Sequence, residues 1–118
     1  MNQNKKTGDK GEQIVIDYYR KKGKKAEKVS NHSGYDVKAG KRLIEVKTRT
    51  RMNPPYFALS SNEFNTALKN KNYWVYWVDP VKKKIVDMID RDEVLASVQL
   101  HTQYRLTLSK LKKTRNKK

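Results

Sequence analysis

A chain of 118 residues has room for one domain and one core, burying roughly two thirds of the surface its unfolded form exposes, so a second catalytic domain is excluded. With 28 lysines and arginines against 12 acids the net charge is +16, which attracts a polyanion and makes nucleic acid the first partner to consider. The absence of cysteine excludes disulfides, thiolate zinc sites and cysteine nucleophiles, and 2 histidines are too few to dominate a metal site, which leaves oxygen ligands and hence Mg2+ or Mn2+.

Thr7 suits the N-cap of a first helix running to Lys22, with Gly23 at its stop. Glu12, Val15, Ile16 and Tyr19 share one side by three-and-four spacing, so a carboxylate lies on the face that packs against the body of the protein. Residues 25–29 suit a short strand, and the polar stretch 30–34, with His32, suits a loop. Residues 35–39 and 42–48 each alternate as half-buried strands do, and Gly40-Lys41 between them is a two-residue hairpin turn. The basic segment 49–55 ends in Pro54-Pro55 and leaves the sheet as a loop, followed by a short strand over 56–59.

Ser60 stands three residues before Glu63, a capping-box spacing that opens a second helix over 60–69. Residues 73–78 read Tyr-Trp-Val-Tyr-Trp-Val, apolar on both faces, as expected of a strand in the middle of a sheet. After the Asp79-Pro80 turn, 84–89 is a further strand, Asp90 and Glu93 cap a short helix through Val98, and 103–108 is a last edge strand. Residues 110–118 are too charged to pack. The expected unit is one domain over 1–109 with a basic, disordered tail over 110–118. No apolar run approaches the roughly 18 residues of a spanning helix and residues 1–10 have no hydrophobic signal region, so the expectation is a soluble, intracellular protein with no membrane partner.

The hairpin carries the chemistry. With Gly40 and Lys41 at the turn, Ala39 pairs with Arg42, Val37 with Ile44 and Asp36 with Glu45. Alternation then puts Asp36, Lys38, Leu43, Glu45 and Lys47 on one face and Tyr35, Val37, Ala39, Ile44 and Val46 on the other, which is core. Like charges directly opposite at about 5 Å disfavour folding, and a divalent cation between the two carboxylates offsets that repulsion. Such an ion eases ionisation of a water aimed at phosphorus, while the ammonium of Lys47 beside the pair orients that water or stabilises charge on the phosphate. These are the parts of a phosphodiester hydrolase, and Glu12 completes them if the first helix packs on the same side. The competing reading is a solvated strand face on which a lysine neutralises two acids.

Glu12 in an opening helix, Gly34-Tyr35-Asp36, and Ile44-Glu45-Val46-Lys47 together resemble the PD-(D/E)XK nuclease superfamily of restriction enzymes and Holliday junction resolvases. The same two strand motifs, followed by an Asn62-Glu63 helix and an aromatic strand, are similar to the domain named after the C-terminus of the plant NO VEIN protein. Tyr35 stands where the superfamily's name-giving motif has proline. The resemblance implies an α/β fold with a mixed sheet, a restriction endonuclease-like αβββαβ core with flanking helices. It also implies that Asp36, Glu45 and the main-chain carbonyl of Val46 ligate Mg2+ (or Mn2+), with Lys47 catalytic and Glu12 an additional acid at the metal or its waters.

The expected function is a metal-dependent endonuclease that hydrolyses DNA, with junction-resolvase-like structure specificity open; the alternative is a non-catalytic nucleic-acid-binding module of the same fold. RNA is not distinguished from DNA, and a symmetric homodimer would let two active sites address two strands. Arg49 and Arg51, directly after the catalytic strand, are candidates to grip the nucleic-acid backbone, and Lys110, Lys112, Lys113 and Arg115 add salt-sensitive affinity. Capping accounts for Glu63, His32 reads as a surface loop residue, and Trp74 and Trp77 read as core.

Overall fold

The alternating run 42–48 and the two-faced run 73–79 lie side by side at the centre of the molecule. The computed structural model describes residues 3–29, 33–100 and 104–117. In chain order the elements are α1 (Gln3–Arg20), β1 (Ala26–Lys28), β2 (Val37–Ala39), β3 (Arg42–Thr48), β4 (Tyr56–Leu59), α2 (Ser61–Lys69), β5 (Tyr73–Asp79), β6 (Lys84–Asp90), α3 (Arg91–Ser97), β7 (Val98–Leu100), β8 (Tyr104–Thr107) and α4 (Leu108–Asn116). A mixed sheet of 5 strands runs β1-β2-β3-β5-β6, in which β3 and β5 are parallel and every other pair is antiparallel. A parallel pair needs a crossover, here β4 and α2. A smaller antiparallel sheet runs β4-β8-β7.

Strand alternation divides the core between the two faces of the large sheet. On one face Val15, Ile16 and Tyr19 of α1 pack on Val37, Ala39, Ile44, Val46, Tyr76 and Val78. On the other, Tyr73, Val75 and Ile89 meet Ala67 of α2, Val94 of α3, Leu111 of α4 and the small sheet's Phe57, Leu59 and Leu106. The hairpin has the expected register for Val37 with Ile44 and Ala39 with Arg42, but the ladder ends there, so Asp36 and Glu45 are not a ladder pair and the Asp36 N–H donates to the Ile44 carbonyl instead. Gly40 has φ 59°, as the first position of a type II′ turn requires. The Ser60 capping box opens α2, and Asp90 with Glu93 forms a second one at α3.

Four expectations are corrected. Helix α1 begins at Gln3 rather than after Thr7, because nothing in residues 3–6 breaks a helix, and Gly8 lies inside it. Tyr35 precedes β2 and packs on the α2 side of the sheet, not with Val37, because the strand starts only at Val37. Val98, the expected end of the third helix, instead opens β7 over 98–100, which puts β8 in the middle of the small sheet instead of at an edge. The tail is not left unpacked: α4 covers most of it, with Leu111 3% exposed and the Arg115 guanidinium 2.7 Å from Glu93 Oε2 and 3.0 Å from Asp87 Oδ2. Carboxylates from β6 and α3 thus neutralise an element whose own sequence offers none. Ser30, Asn31 and His32 lie outside the described residues. Among the described residues no helix is long and apolar enough to cross a membrane.

Candidate active site

Being a central strand, β3 buries Glu45 to 5% exposure. Because the β2 ladder ends at Val37, the N–H of Val46 is left to donate to Asp36 Oδ2 at 2.8 Å, while Asp36 N–H donates to the Ile44 carbonyl at 2.9 Å. These two bonds hold the Asp36 carboxylate on the hairpin beside Glu45. Gly34, at φ 81°, fixes the approach: a Cβ there would lie 2.0 Å from Thr66 Oγ1 and 3.2 Å from the Asn62 carbonyl, so only glycine lets this loop seat on α2.

Lys47 follows on the same strand face, its Nζ 3.3 Å from Glu45 Oε2 and 3.2 Å from Glu63 Oε1. Glu63 is the residue the sequence reading left out. Its Oε1 also accepts the Ser60 N–H at 3.0 Å, so one oxygen both caps α2 and holds the lysine. The capping spacing that explained Glu63 concealed its second partner; an acid in the first turn of the helix that crosses over from β3 to β5 was the available signal.

The electrostatics follow from burial. Desolvation pushes Glu45 well above the ordinary carboxylate range; Lys47 opposes this, and Asp36 and Glu63 add to it. Asp36 is raised by burial too, against the Val46 hydrogen bond that lowers it. For Lys47, burial disfavours the ammonium, but Glu45 and Glu63 outweigh it and raise the pKa, so the lysine stays charged. Tyr73, fully buried, lies in the field of Glu45, Glu63 and Asp36, and its hydroxyl has no hydrogen-bond partner among the described residues.

Glu12 reaches the site from α1. The helix crosses the end of β3 at Gly11, where a Cβ would lie 1.9 Å from Thr48 Oγ1, so glycine sets the closeness of the crossing. Burial and then the Asp36 charge push Glu12 up to about 7. Asp36, Glu45 and Lys47 are thus brought together, with Glu12 within the field of Asp36. Among the described residues no group of three acid or histidine side chains stands close enough to hold an ion by itself.

An open groove of about 390 Å³ runs beside Lys47, bounded by Thr7 and Gly8 of α1 and by Thr48, Arg49 and Phe57. Arg49 spends its donors within its own loop, on the Tyr56 and Asn53 carbonyls at 2.9 Å each. Arg51, Lys112 and Lys113 are exposed, Lys110 is half-buried, and Arg115 is engaged with Asp87 and Glu93. Trp74 and Trp77 pack half-buried against the two halves of the core, as expected of core residues.

Comparison with known proteins agrees with this architecture. The structure is similar to that of Hjc from Archaeoglobus fulgidus, a Holliday junction resolvase from an archaeal hyperthermophile, with a TM-score of 0.63, 17% identity, and coverage of 89% of this chain and 87% of that one. No curated protein matches. The likeness shows the restriction endonuclease-like fold, a mixed sheet flanked by helices with α1, the β1-β2-β3 strands, α2 and β5 in the expected order. The profile of the family described as Protein NO VEIN, C-terminal, matches residues 10–90, a stretch holding the later part of α1, both strands of the hairpin, α2 and all five residues of the acid and lysine cluster, and the chain belongs to that family.

Proposed function

We propose that this chain is a divalent-metal-dependent endonuclease that hydrolyses phosphodiester bonds in DNA. The observation that carries the proposal is the pair formed by buried Glu45 and half-buried Asp36, with the Lys47 ammonium 3.3 Å from Glu45. Two carboxylates placed together in a low-dielectric site are costly without a counterion. The donor set is all oxygen, which fits Mg2+ or Mn2+, and burial raises Glu45 even with Lys47 beside it. Asp36, Glu45, the Val46 carbonyl and Glu12 would hold the ion. When bound, it supplies Lewis acidity toward the phosphate and eases ionisation of the attacking water.

The remaining work falls to the protein's own groups. Lys47 positions the water and stabilises negative charge on the phosphate; Glu63 holds Lys47 in place, and α2 holds Glu63 through the cap. The open groove beside Lys47 admits the strand to be cut. Arg51, Lys110, Lys112 and Lys113 contribute backbone affinity, whereas the engagement of Arg49 and Arg115 within the fold argues for structural roles. The solved relative is a Holliday junction resolvase, which supports branched DNA as the first substrate to test and a homodimer as the first assembly.

The test is cleavage of a labelled four-way DNA junction, beside duplex, single-stranded and RNA controls, with Mg2+ or Mn2+ and with chelator, by the wild type and Glu45→Ala. Metal-dependent cutting lost in the variant supports the proposal. Binding without cutting on every substrate replaces it with a non-catalytic nucleic-acid-binding module.

A further inference from the structure

Away from the acid cluster, at the turn end of the hairpin, lies a hollow of about 630 Å³ lined by Tyr18, Lys22, Lys24, Lys25, Lys41 and Arg42, among others. It is concave, and its five cations are joined by no acid. Arg42 is held rigidly: Nη1 donates to the Tyr76 hydroxyl at 2.7 Å, and the guanidinium stacks 3.8 Å from the centre of the Trp74 ring. The Tyr76 hydroxyl is in turn hydrogen-bonded to Tyr19 of α1. Among the described residues no carboxylate pairs with Arg42, Lys22, Lys24, Lys25 or Lys41. A preorganised arginine ringed by lysines, of which Lys22 is held on the Tyr18 hydroxyl at 2.7 Å and none has a carboxylate partner among the described residues, is built for an anion.

The shape selects a polymer. A neighbouring hollow shares Lys24 and Lys25 with this one and adds Arg20 and Lys38; another shares Tyr18 and Lys22 and adds Lys83 and Lys84. The three form one channel, where a single nucleotide would need one socket. The acids along it are Glu27 and Asp17, and Asp17 already accepts a hydrogen bond from Gln13 at 2.8 Å. The exposed large apolar residues Leu68, Val81 and Val86 lie outside it, so nothing there is suited to enter a bilayer.

We infer that this channel is a second nucleic-acid site, which grips the phosphodiester backbone of a segment flanking the one that is cut. Arg42 and Glu45 are three residues apart on β3, about 10 Å along the strand, and alternation turns them to opposite faces of the sheet. A segment in the channel is therefore a different one from the strand at Lys47, and the substrate is long enough, or branched enough, to reach both. The inference rests on nucleic acid as the partner under the proposed function, but not on cleavage.

The test is binding of a labelled four-way junction by fluorescence anisotropy, in chelator, over a range of salt. Lys24→Glu with Lys41→Glu should weaken binding at least about tenfold at moderate salt. It should also flatten the plot of log K against log salt by about 2, since each phosphate contact contributes about 0.9. Lys69→Glu with Lys71→Glu changes the net charge equally, away from the channel, and should do much less. Equal effects of the two pairs would mean a general field and overturn the inference. So would a channel variant that binds DNA normally but has lost binding to vesicles rich in phosphatidylserine, which would make the channel a membrane contact. Loss of cleavage alone, with this binding intact, removes the nuclease and leaves the second site; the reverse removes the second site and leaves the nuclease.

Discussion

Asp36→Asn should stabilise the metal-free protein and abolish its response to magnesium, two effects of opposite sign from one atom exchange. Asp36 Oδ2 accepts the Val46 N–H at 2.8 Å, a bond an asparagine carbonyl keeps, while the new amide can donate to Glu45 instead of repelling it. Like charges facing each other on paired strands cost up to about 1 kcal/mol, which is the upper limit for these two carboxylates, held together just beyond the end of the ladder. In chelator the variant should therefore melt about 3–6 °C above the wild type, a shift interpolated between the ranges for smaller and larger domains. Magnesium at 100 times its dissociation constant stabilises a native state by about 2.7 kcal/mol, which raises the wild-type midpoint by about 8–16 °C. With one of the two facing carboxylates gone, the variant should gain almost nothing. The assay is thermal unfolding by circular dichroism at pH 7, in chelator and in millimolar magnesium. A variant that melts below the wild type in chelator, or that responds equally to magnesium, would refute the reasoning that a cation belongs between these acids.

Glu45→Ala and Lys47→Ala should each abolish cleavage while leaving junction binding in chelator close to wild type, and wild-type rates in either variant would remove the hairpin from the mechanism. Glu63→Gln keeps an acceptor for the Ser60 N–H but loses the charge on Lys47, so cleavage should fall by up to about 100-fold with little change in melting; Glu63→Ala should in addition lose about 1 kcal/mol of capping, and equal melting losses in the two would assign Glu63 to the cap alone. Glu12 is raised from an ordinary 4.5 to about 7 by burial and the Asp36 charge. A raised acid contributes stability that is present below pH 4.5 and lost as pH rises through about 7, so the chelated protein should weaken across that window and Glu12→Gln should flatten the profile. Arg115→Ala leaves the buried Glu93 without its guanidinium partner; since Arg115 itself is about a third exposed, the expected loss is about 1–2 kcal/mol, read from urea unfolding.

The hairpin was legible because its determinants are local. Residues 42–48 alternate and Gly40 permits the turn, which dictates the register as far as Val37 with Ile44; bonds to Val46 and Ile44 then hold Asp36 beside β3. The Ser60 cap and the two-faced strand β5 are local in the same sense. What stayed hidden depends on distant partners. Glu63 carries a capping signature, and its contact with Lys47 exists only once α2 has folded over β3. Arg115 reads as one more tail cation until Asp87 and Glu93 are placed beside it. Val98 looked like the end of a helix because the partner that draws it into β7 lies in β8. Glu12 was placed on the packing face by periodicity, but its distance from the acids is set by the crossing of Gly11 over Thr48, a contact no spacing rule contains.

The parallel pairing of β3 with β5 also dictates when the site comes into being during synthesis. The hairpin strand β2 is already made when β3 leaves the ribosome, but β5 follows only after β4 and α2 have been added. Until then one edge of β3 is solvated, and Glu45 and Lys47 are ordinary ionised groups in water. Parallel contacts across such a separation form late, because the loop must close before they return any stabilisation. A nascent chain ending before Tyr73 therefore carries Glu12, Asp36, Glu45, Lys47 and Glu63 without the buried setting that β5 gives them in the folded protein.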